Sequence, residues 1–299
     1  MIKCLGIWCG SQVESVMNRN FEEKIKNLKT TLNIWSQRKL SLKGKVAVLR
    51  SMALPQVLYV TSVLYTPEWV VQNIEKLFLE FLWSKRKAHV SKDIIIKEIT
   101  EGGLKMPLFG GMLRGIKCTW IRRILNSNSN KMDLLSHFIK YKNLDVKTII
   151  QSKLDLMHVQ VHSIVYRQIL GFWYDCYATE PTNGQAAAEF PLWHNKFIVY
   201  DKKPCINKVW NEHGICRIMD IINQNGQICS KKEIENKHNV AVKQMDYNSI
   251  IHAIPKRWIA LFKENNYDVK DSYPTTLVIK NKTMPLEEIK CKDFYWHYI

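Results

Sequence analysis

The stretch from Asn33 to Tyr59 constrains the fold most, because it joins two apolar stripes of helical period through a turn crowded with cations. Upstream, Phe21, Ile25, Leu28, Leu32 and Trp35 recur at spacings of 4, 3, 4 and 3. Such spacings put all five on one face of an α-helix. Asn20 reads as that helix's N-cap, with Glu23 as its capping-box partner. Downstream, Ser41 reads as a second cap, followed by a second stripe of Leu42, Val46, Leu49 and Ala53. Pro55 breaks or kinks this helix, since proline donates no N–H and disfavours helical geometry at Leu54. Between and along the stripes, Arg38, Lys39, Lys43, Lys45 and Arg50 fall within thirteen positions that hold no acidic residue. The spacing therefore predicts a helical hairpin with a positively charged rim.

Two more helices follow in the same register. One runs over roughly 55–65. The next starts at Thr66-Pro67-Glu68, with a cap, a proline at the first helical position and an acid in the first turn. Its stripe is Val70, Ile74, Leu77 and Phe81, it ends near Trp83, and it releases into Ser84-Lys85-Arg86-Lys87. Four helices with short connections predict a bundle, with Trp35 and Trp83 as anchors. The expected fold class is mainly α: a thumb-like helical bundle, then a second mostly helical region with a few short strands or hairpins. Residues 2–8 read as a short strand. The β-branched run Ile94–Thr100, the Gly102-Gly103 turn and the return Leu104–Pro107 predict a small hairpin near 92–107. Leu113, Ile116, Trp120 and Ile124 form another stripe, decorated by Arg114, Lys117, Arg122 and Arg123. The low-complexity run Asn126-Ser127-Asn128-Ser129-Asn130 marks a linker. The expected division is thus 1–125, a linker at 126–130, and 131–299.

Beyond the linker, residues 131–172 read as two or three helices. Asp155, His158 and His162 share one face of an expected helix, at metal-ligand spacing but more readily an exposed polar face. Phe172, Trp173, Tyr174 and Tyr177 read as core rather than as base-stacking groups. Asn183–Ala188 reads as a surface loop, and Phe197–Tyr200 as a strand ending in a turn at Asp201–Pro204. Ser230 and Glu233 form a capping box, and Pro255 interrupts a helix from Tyr247 to Trp258. Cys205, His213, Cys216 and Cys229 make no paired Cys-x-x-Cys, so the spacing does not favour zinc. The eight scattered cysteines read as reduced thiols of a cytosolic or nuclear protein. No apolar run approaches the roughly 20 residues of a membrane span.

Charge indicates the partner. Residues 1–150 hold 25 Lys+Arg against 11 Asp+Glu, a net of +14, while residues 151–299 hold 19 against 16, a net of +3. A polyanion-facing first half makes nucleic acid the default partner and an anionic membrane surface the rival. Twelve cations are the candidate phosphate contacts: Arg38, Lys39, Lys43, Lys45, Arg50, Lys85, Arg86, Lys87, Arg114, Lys117, Arg122 and Arg123. No catalytic or metal-ligating residue emerges. The sequence contains no Asp-Asp pair, no phosphate-binding P-loop, no His-Glu-x-x-His and no Gly-x-Ser-x-Gly.

A resemblance accompanies these residues. Leu32-x-x-Trp35-x-x-Arg38-x-Leu40-Ser41-Leu42-x-Gly44-Lys45, followed by Leu54-Pro55-x-x-x-Tyr59, resembles the segment after the catalytic palm in reverse transcriptases of LINE-type non-LTR retrotransposons. Phe81-Leu82-Trp83, Gly102-Gly103-Leu104-Lys105-Met106-Pro107 and Trp120-Ile121-Arg122-Arg123 resemble later signatures of that family in the same order. Pro191–Asn195 and Ile254-Pro255-x-x-Trp258 are similar to weaker, more distal ones. The resemblance is strong over residues 1–125 and loose beyond, and it rests on shared order rather than on any single motif. It implies that the first half corresponds to a polymerase thumb lying over a template–primer duplex, preceded by the last palm strand. Cys4 stands where the family usually has an aromatic, which weakens a primer-grip role.

The parent activity the resemblance implies is RNA-directed DNA polymerisation primed at a nick in target DNA, with a divalent metal such as magnesium. A polymerase palm holds such ions through clustered carboxylates. This chain lacks the Asp-Asp turn, so no cofactor and no catalysis are expected of it alone. Expected partners are an RNA template, an RNA–DNA hybrid or target DNA, and the rest of the retrotransposon polyprotein. Oligomeric state is left open. The alternatives are a piece of an active reverse transcriptase that takes its palm from another polypeptide, and a host or pseudogene-derived protein-interaction module without nucleic-acid function.

Overall fold

The computed structural model describes residues 1–125, 135–142, 144–176, 180–181, 184–223, 225–263, 276–279, 282–286 and 288–297. The fold is mainly α-helical, with a few short two-stranded pairs. The chain divides into two units, Met1–Thr119 with Lys290–Ile299, and Trp120–Ile289. The division falls inside a helix, and the linker expected at 126–130 lies outside the described residues.

The first unit opens with an antiparallel hairpin of β1 (Ile2–Cys4) and β2 (Ile7–Cys9), where a single strand was expected. Leu5 and Gly6 both take positive φ, 49° and 79°, which is the two-residue turn that folds such a ribbon back on itself. Helix α1 spans Val13–Ser36 and begins well before Asn20, which corrects the cap assignment. Asn20 lies buried in mid-helix and serves the hairpin instead. Its Oδ1 accepts from the Trp8 N–H at 2.9 Å, and its Nδ2 donates to the carbonyls of Trp8 (2.9 Å) and Val16 (2.8 Å). Glu23 accepts from the Trp8 indole N–H, and Arg19 stacks 3.7 Å over that ring.

Ser41 caps α2 (Leu42–Val48) as expected, its Oγ accepting from the Gly44 N–H at 3.2 Å. A π-helical turn, Leu49–Ala53, then leads into α3 (Leu54–Val63). Wider i→i+5 winding absorbs Pro55, which has no N–H for the regular ladder. Together Leu42–Val63 make 22 residues apolar enough in composition to cross a membrane, counter to expectation. That apolar content lies in the bundle: Val46, Leu49, Ala53, Val57 and Val60 are buried. Helix α4 spans Glu68–Leu82, with Pro67 itself at the cap position, one residue later than expected. Phe21, Leu28, Leu49, Val57, Ile74, Phe78 and Leu82 form the dry centre of this bundle. Each such side chain contributes about 1.5–3 kcal/mol by burial. Trp83 is buried, but Trp35 is only half-buried, so the second anchor is weaker than its stripe implied.

The hairpin expected near 92–107 is not formed. Lys92–Ile96 is a short helix, α5, and Ile99–Glu101 a 3₁₀ turn. Ile95 and Ile96 are both buried, and a strand would have pointed neighbours to opposite faces. Tertiary burial thus overrides β-branched propensity. The return does occur: Leu104 and Met106 donate to the Ile95 carbonyl. Gly103 permits it, because a Cβ there would stand 2.1 Å from the Lys97 carbonyl oxygen. Helix α6 spans Phe109–Leu125. Its buried face holds Leu113, Lys117, Cys118 and Ile121, whereas Trp120 of the expected stripe is exposed. Helix Cys291–His297 closes against Gly111 and Gly115 of α6 within the same unit. A Cβ on Gly115 would stand 2.7 Å from the Cys291 carbonyl oxygen, and the Tyr295 hydroxyl accepts from the Leu108 N–H at 3.2 Å.

The second unit is built around four fully buried tryptophans, Trp173, Trp193, Trp210 and Trp258, together with Tyr174, Phe190 and Phe262. Trp173 and Tyr174 are therefore core, as expected; Tyr177 lies outside the described residues. Gly184–Glu189, expected as a surface loop, is a helix with Ala186 and Ala187 buried; Asn183 lies outside the described residues. Val199–Tyr200 pairs with Lys203–Pro204 across the expected turn, and Ser230 and Glu233 form the expected capping box. Pro255 separates Gln244–Ala253 from Lys256–Lys263.

Candidate nucleic-acid interface

The C-terminal end of α4 carries the most structured group of cations. Trp83 is tucked into the core, and the chain turns at once through Ser84 (φ 53°) and Lys85 (φ 60°). Two successive non-glycine residues in the left-handed region cost roughly 1–2 kcal/mol each, and such geometry persists only where its surroundings over-determine it. Here the Lys85 N–H donates to the Glu80 carbonyl at 2.8 Å and the Arg86 N–H to the Trp83 carbonyl at 3.0 Å. Lys45 reaches across from α2, its Nζ donating to the Leu82 carbonyl at 2.9 Å and to the Ser84 Oγ at 2.6 Å. A cation on the last carbonyls also complements the negative end of the α4 dipole. Burial lowers the Lys45 pKa, and the neighbouring Arg86 charge lowers it further. Lys45 is thus a structural group in the first instance, while Lys85, Arg86 and Lys87 are exposed.

Beside this turn, the ends of α1 and α4 frame a cleft of 520 Å³. Lys29, Asn33 and Ser36 line it from α1, and Glu80, Ser84 and Lys85 from the other side. Lys29 lies off the apolar stripe of α1, and the fold puts it on the same cleft as Lys85. Between α1 and α2, Arg38 and Lys39 are exposed, and the Arg38 guanidinium stacks 4.8 Å from the Trp35 ring. That stack explains why Trp35 stays half-open, since a cation over an indole face is attractive by about 0.5–1 kcal/mol at an exposed site. Lys43 is exposed on α2, and Arg50 is exposed in the π turn.

The α6 cations behave differently from expectation. Lys117 is fully buried, its Nζ donating at 2.6 Å to the Leu64 carbonyl at the end of α3, and burial lowers its pKa to about 7. It is a helix-end partner and not a phosphate contact. Arg114 is half-buried. Arg122 and Arg123 belong to the second unit, where the Arg122 guanidinium donates to the Ile289 carbonyl and Arg123 is exposed. The sequence did not separate these cases, because a lysine on an amphipathic helix looks solvated until the partner carbonyl is placed.

No protein-family model matches the chain. Exposed Lys85, Arg86, Lys87, Arg38, Lys39 and Lys43 suit a ligand recognised through charge and counterion release, which needs no exact side-chain geometry.

In the second unit, the expected helix carrying Asp155, His158 and His162 does not form, since Gln160–Val161 pairs with Ile139–Lys140. His158 instead stacks on His194 at 3.7 Å, with Asp155 4.0 Å from its Nε2. Burial, then the His158 and Lys142 charges, lower the His194 pKa to about 4. Among the described residues no three His, Cys, Asp or Glu side chains are grouped to hold a metal ion. Cys205 and Cys229 are buried thiols whose pKa values burial raises.

Proposed function

We propose that this chain is a nucleic-acid-binding part of a LINE-type reverse transcriptase, gripping the phosphate backbone through its first unit and not catalytic by itself. The observation that carries the reading is the strained, multiply bonded turn at Ser84–Lys87, which presents Lys85, Arg86 and Lys87 to solvent beside a cleft also edged by Lys29. A purely solubilising charge run needs no such fixed geometry. The ordered motif resemblance and the +14 imbalance of residues 1–150 support the same assignment. The absent Asp-Asp pair supports a role in holding template and primer rather than in nucleotidyl transfer.

Fluorescence anisotropy with an RNA hairpin, duplex DNA and an RNA–DNA hybrid, across a salt series, tests this. The expected result is affinity falling steeply with salt, at about 0.9 log units per log unit of salt for each phosphate contact on a B-form duplex. Joint charge reversal at Lys43, Arg86 and Lys87 then flattens the dependence. Weak, salt-insensitive binding to all three ligands would reject the reading, as would an unchanged slope in the reversed variant.

A further inference from the structure

We propose that Lys45 is the positioning residue of the basic turn: its ammonium locks Ser84 and Lys85 in left-handed geometry, so that Lys85, Arg86 and Lys87 engage neighbouring phosphates together. The inference rests on the nucleic-acid reading above and assigns Lys45 a different role from the one its sequence context predicts. Lys45 already spends two donors inside the protein, on the Leu82 carbonyl at 2.9 Å and the Ser84 Oγ at 2.6 Å. Its Nζ also lies over the Phe81 ring, 5.9 Å from the centroid. Neither Ser84 nor Lys85 is glycine, so the backbone does not favour this turn unaided. The hydroxyl of Ser84 is the handle, because it links the first strained residue to a charge carried on a different helix. Arg86 lies close enough for its charge to act on Lys45. Like charges repel, so Arg86 is favoured pointing away from Lys45 and toward solvent.

The distinguishing feature is that an uncharged residue carries part of the effect. Ser84→Ala removes the handle and no charge. Counterion release alone leaves its salt slope unchanged, whereas a lock predicts the loss of more than one phosphate contact. Salt-series anisotropy on the full chain with an RNA hairpin and duplex DNA reads this for wild type, K45M, S84A, K43M and K45M/S84G. The expected slopes on duplex DNA are shallower by about 0.9 for K43M, one contact, and by about 1.8 or more for both K45M and S84A. In K45M/S84G, glycine takes the left-handed conformation without strain, and at least half of the lost slope returns.

If K45M loses about one contact and S84A loses none, Lys45 is an ordinary phosphate ligand and the proposal is overturned. No change in either variant overturns it as well. A wild-type slope near zero rejects the nucleic-acid reading itself, an outcome distinct from a steep wild type with unmoved variants. Should K45M fail to fold by circular dichroism, S84A alone decides, since it leaves the core untouched.

Discussion

Replacing Lys117 with methionine should change how stability depends on pH. The Lys117 ammonium is fully enclosed and meets the Leu64 carbonyl, and burial lowers its pKa from 10.5 to about 7. A gap of about 3.5 units at 1.36 kcal/mol each means that enclosing the charged form costs on the order of 5 kcal/mol. Between pH 7 and 10.5 the unfolded chain binds a proton at this lysine that the folded chain has released. Stability therefore rises with pH across that window, and the full penalty applies below pH 7. From pH 6.5 to 8.5 the wild type should gain about 2 kcal/mol by this linkage. The K117M reference cancels the contribution of every other group, which both proteins share. His194, lowered to about 4, acts below 6.5, and the buried thiols, of which Cys205 is raised to about 11, act above 8.5. Urea unfolding at both pH values gives the comparison, with K117M as reference. K117M keeps the apolar stem but has no proton to release. It should be the more stable protein at pH 6.5, and the advantage should shrink by about 2 kcal/mol at pH 8.5. If wild type and K117M gain or lose stability in parallel over this range, Lys117 is not a buried charge and the packing of α6 is wrong.

Two further outcomes test the structure elsewhere. Asn20→Ala removes the three hydrogen bonds that tie Trp8 and Val16 to its side chain, and should cost roughly 1–3 kcal/mol in urea unfolding; a loss within experimental error would mean the hairpin is not pinned to α1. His194 should titrate by NMR near 4, and stability should fall as pH drops from 6.5 toward that value, because the unfolded chain takes up the proton first. His158→Ala should move that titration upward, since the His158 charge is one of the causes depressing it.

The bundle was legible because its signal is periodic. The stripes Phe21–Leu32 and Val70–Phe81 mark helices before any contact is known, and Ser41 and Ser230 announce their caps by local hydrogen bonds alone. Asn20 misled because a short polar side chain before an apolar stripe fits an N-cap equally well as a buried cross-link. The distinction depends on a hairpin partner, Trp8, twelve residues upstream, which periodicity does not see. The run Ile94–Thr100 reads as strand because propensity is the only local cue, and burial of Ile95 with Ile96 in the helix Lys92–Ile96 decides otherwise. For the candidate interface, the exposure of Arg38, Lys39, Lys43, Arg50, Lys85, Arg86, Lys87 and Arg123 was legible, and the burial of Lys117 was not. Lys45 and Lys117 share the residue type and helical setting of Lys43, and only the carbonyls at the ends of α4 and α3 set them apart.

The closing of helix Cys291–His297 on the glycine face of α6 has a consequence for the order of synthesis. Gly111 and Gly115 leave the ribosome long before Tyr295, which covers them. At about 5–20 residues per second, the intervening stretch of the chain takes on the order of 10–40 s to make. Throughout that interval the first unit has a bare backbone groove where its last helix belongs, while the whole second unit emerges. Emergence of Tyr295, rather than completion of residue 119, is the event that finishes the first unit.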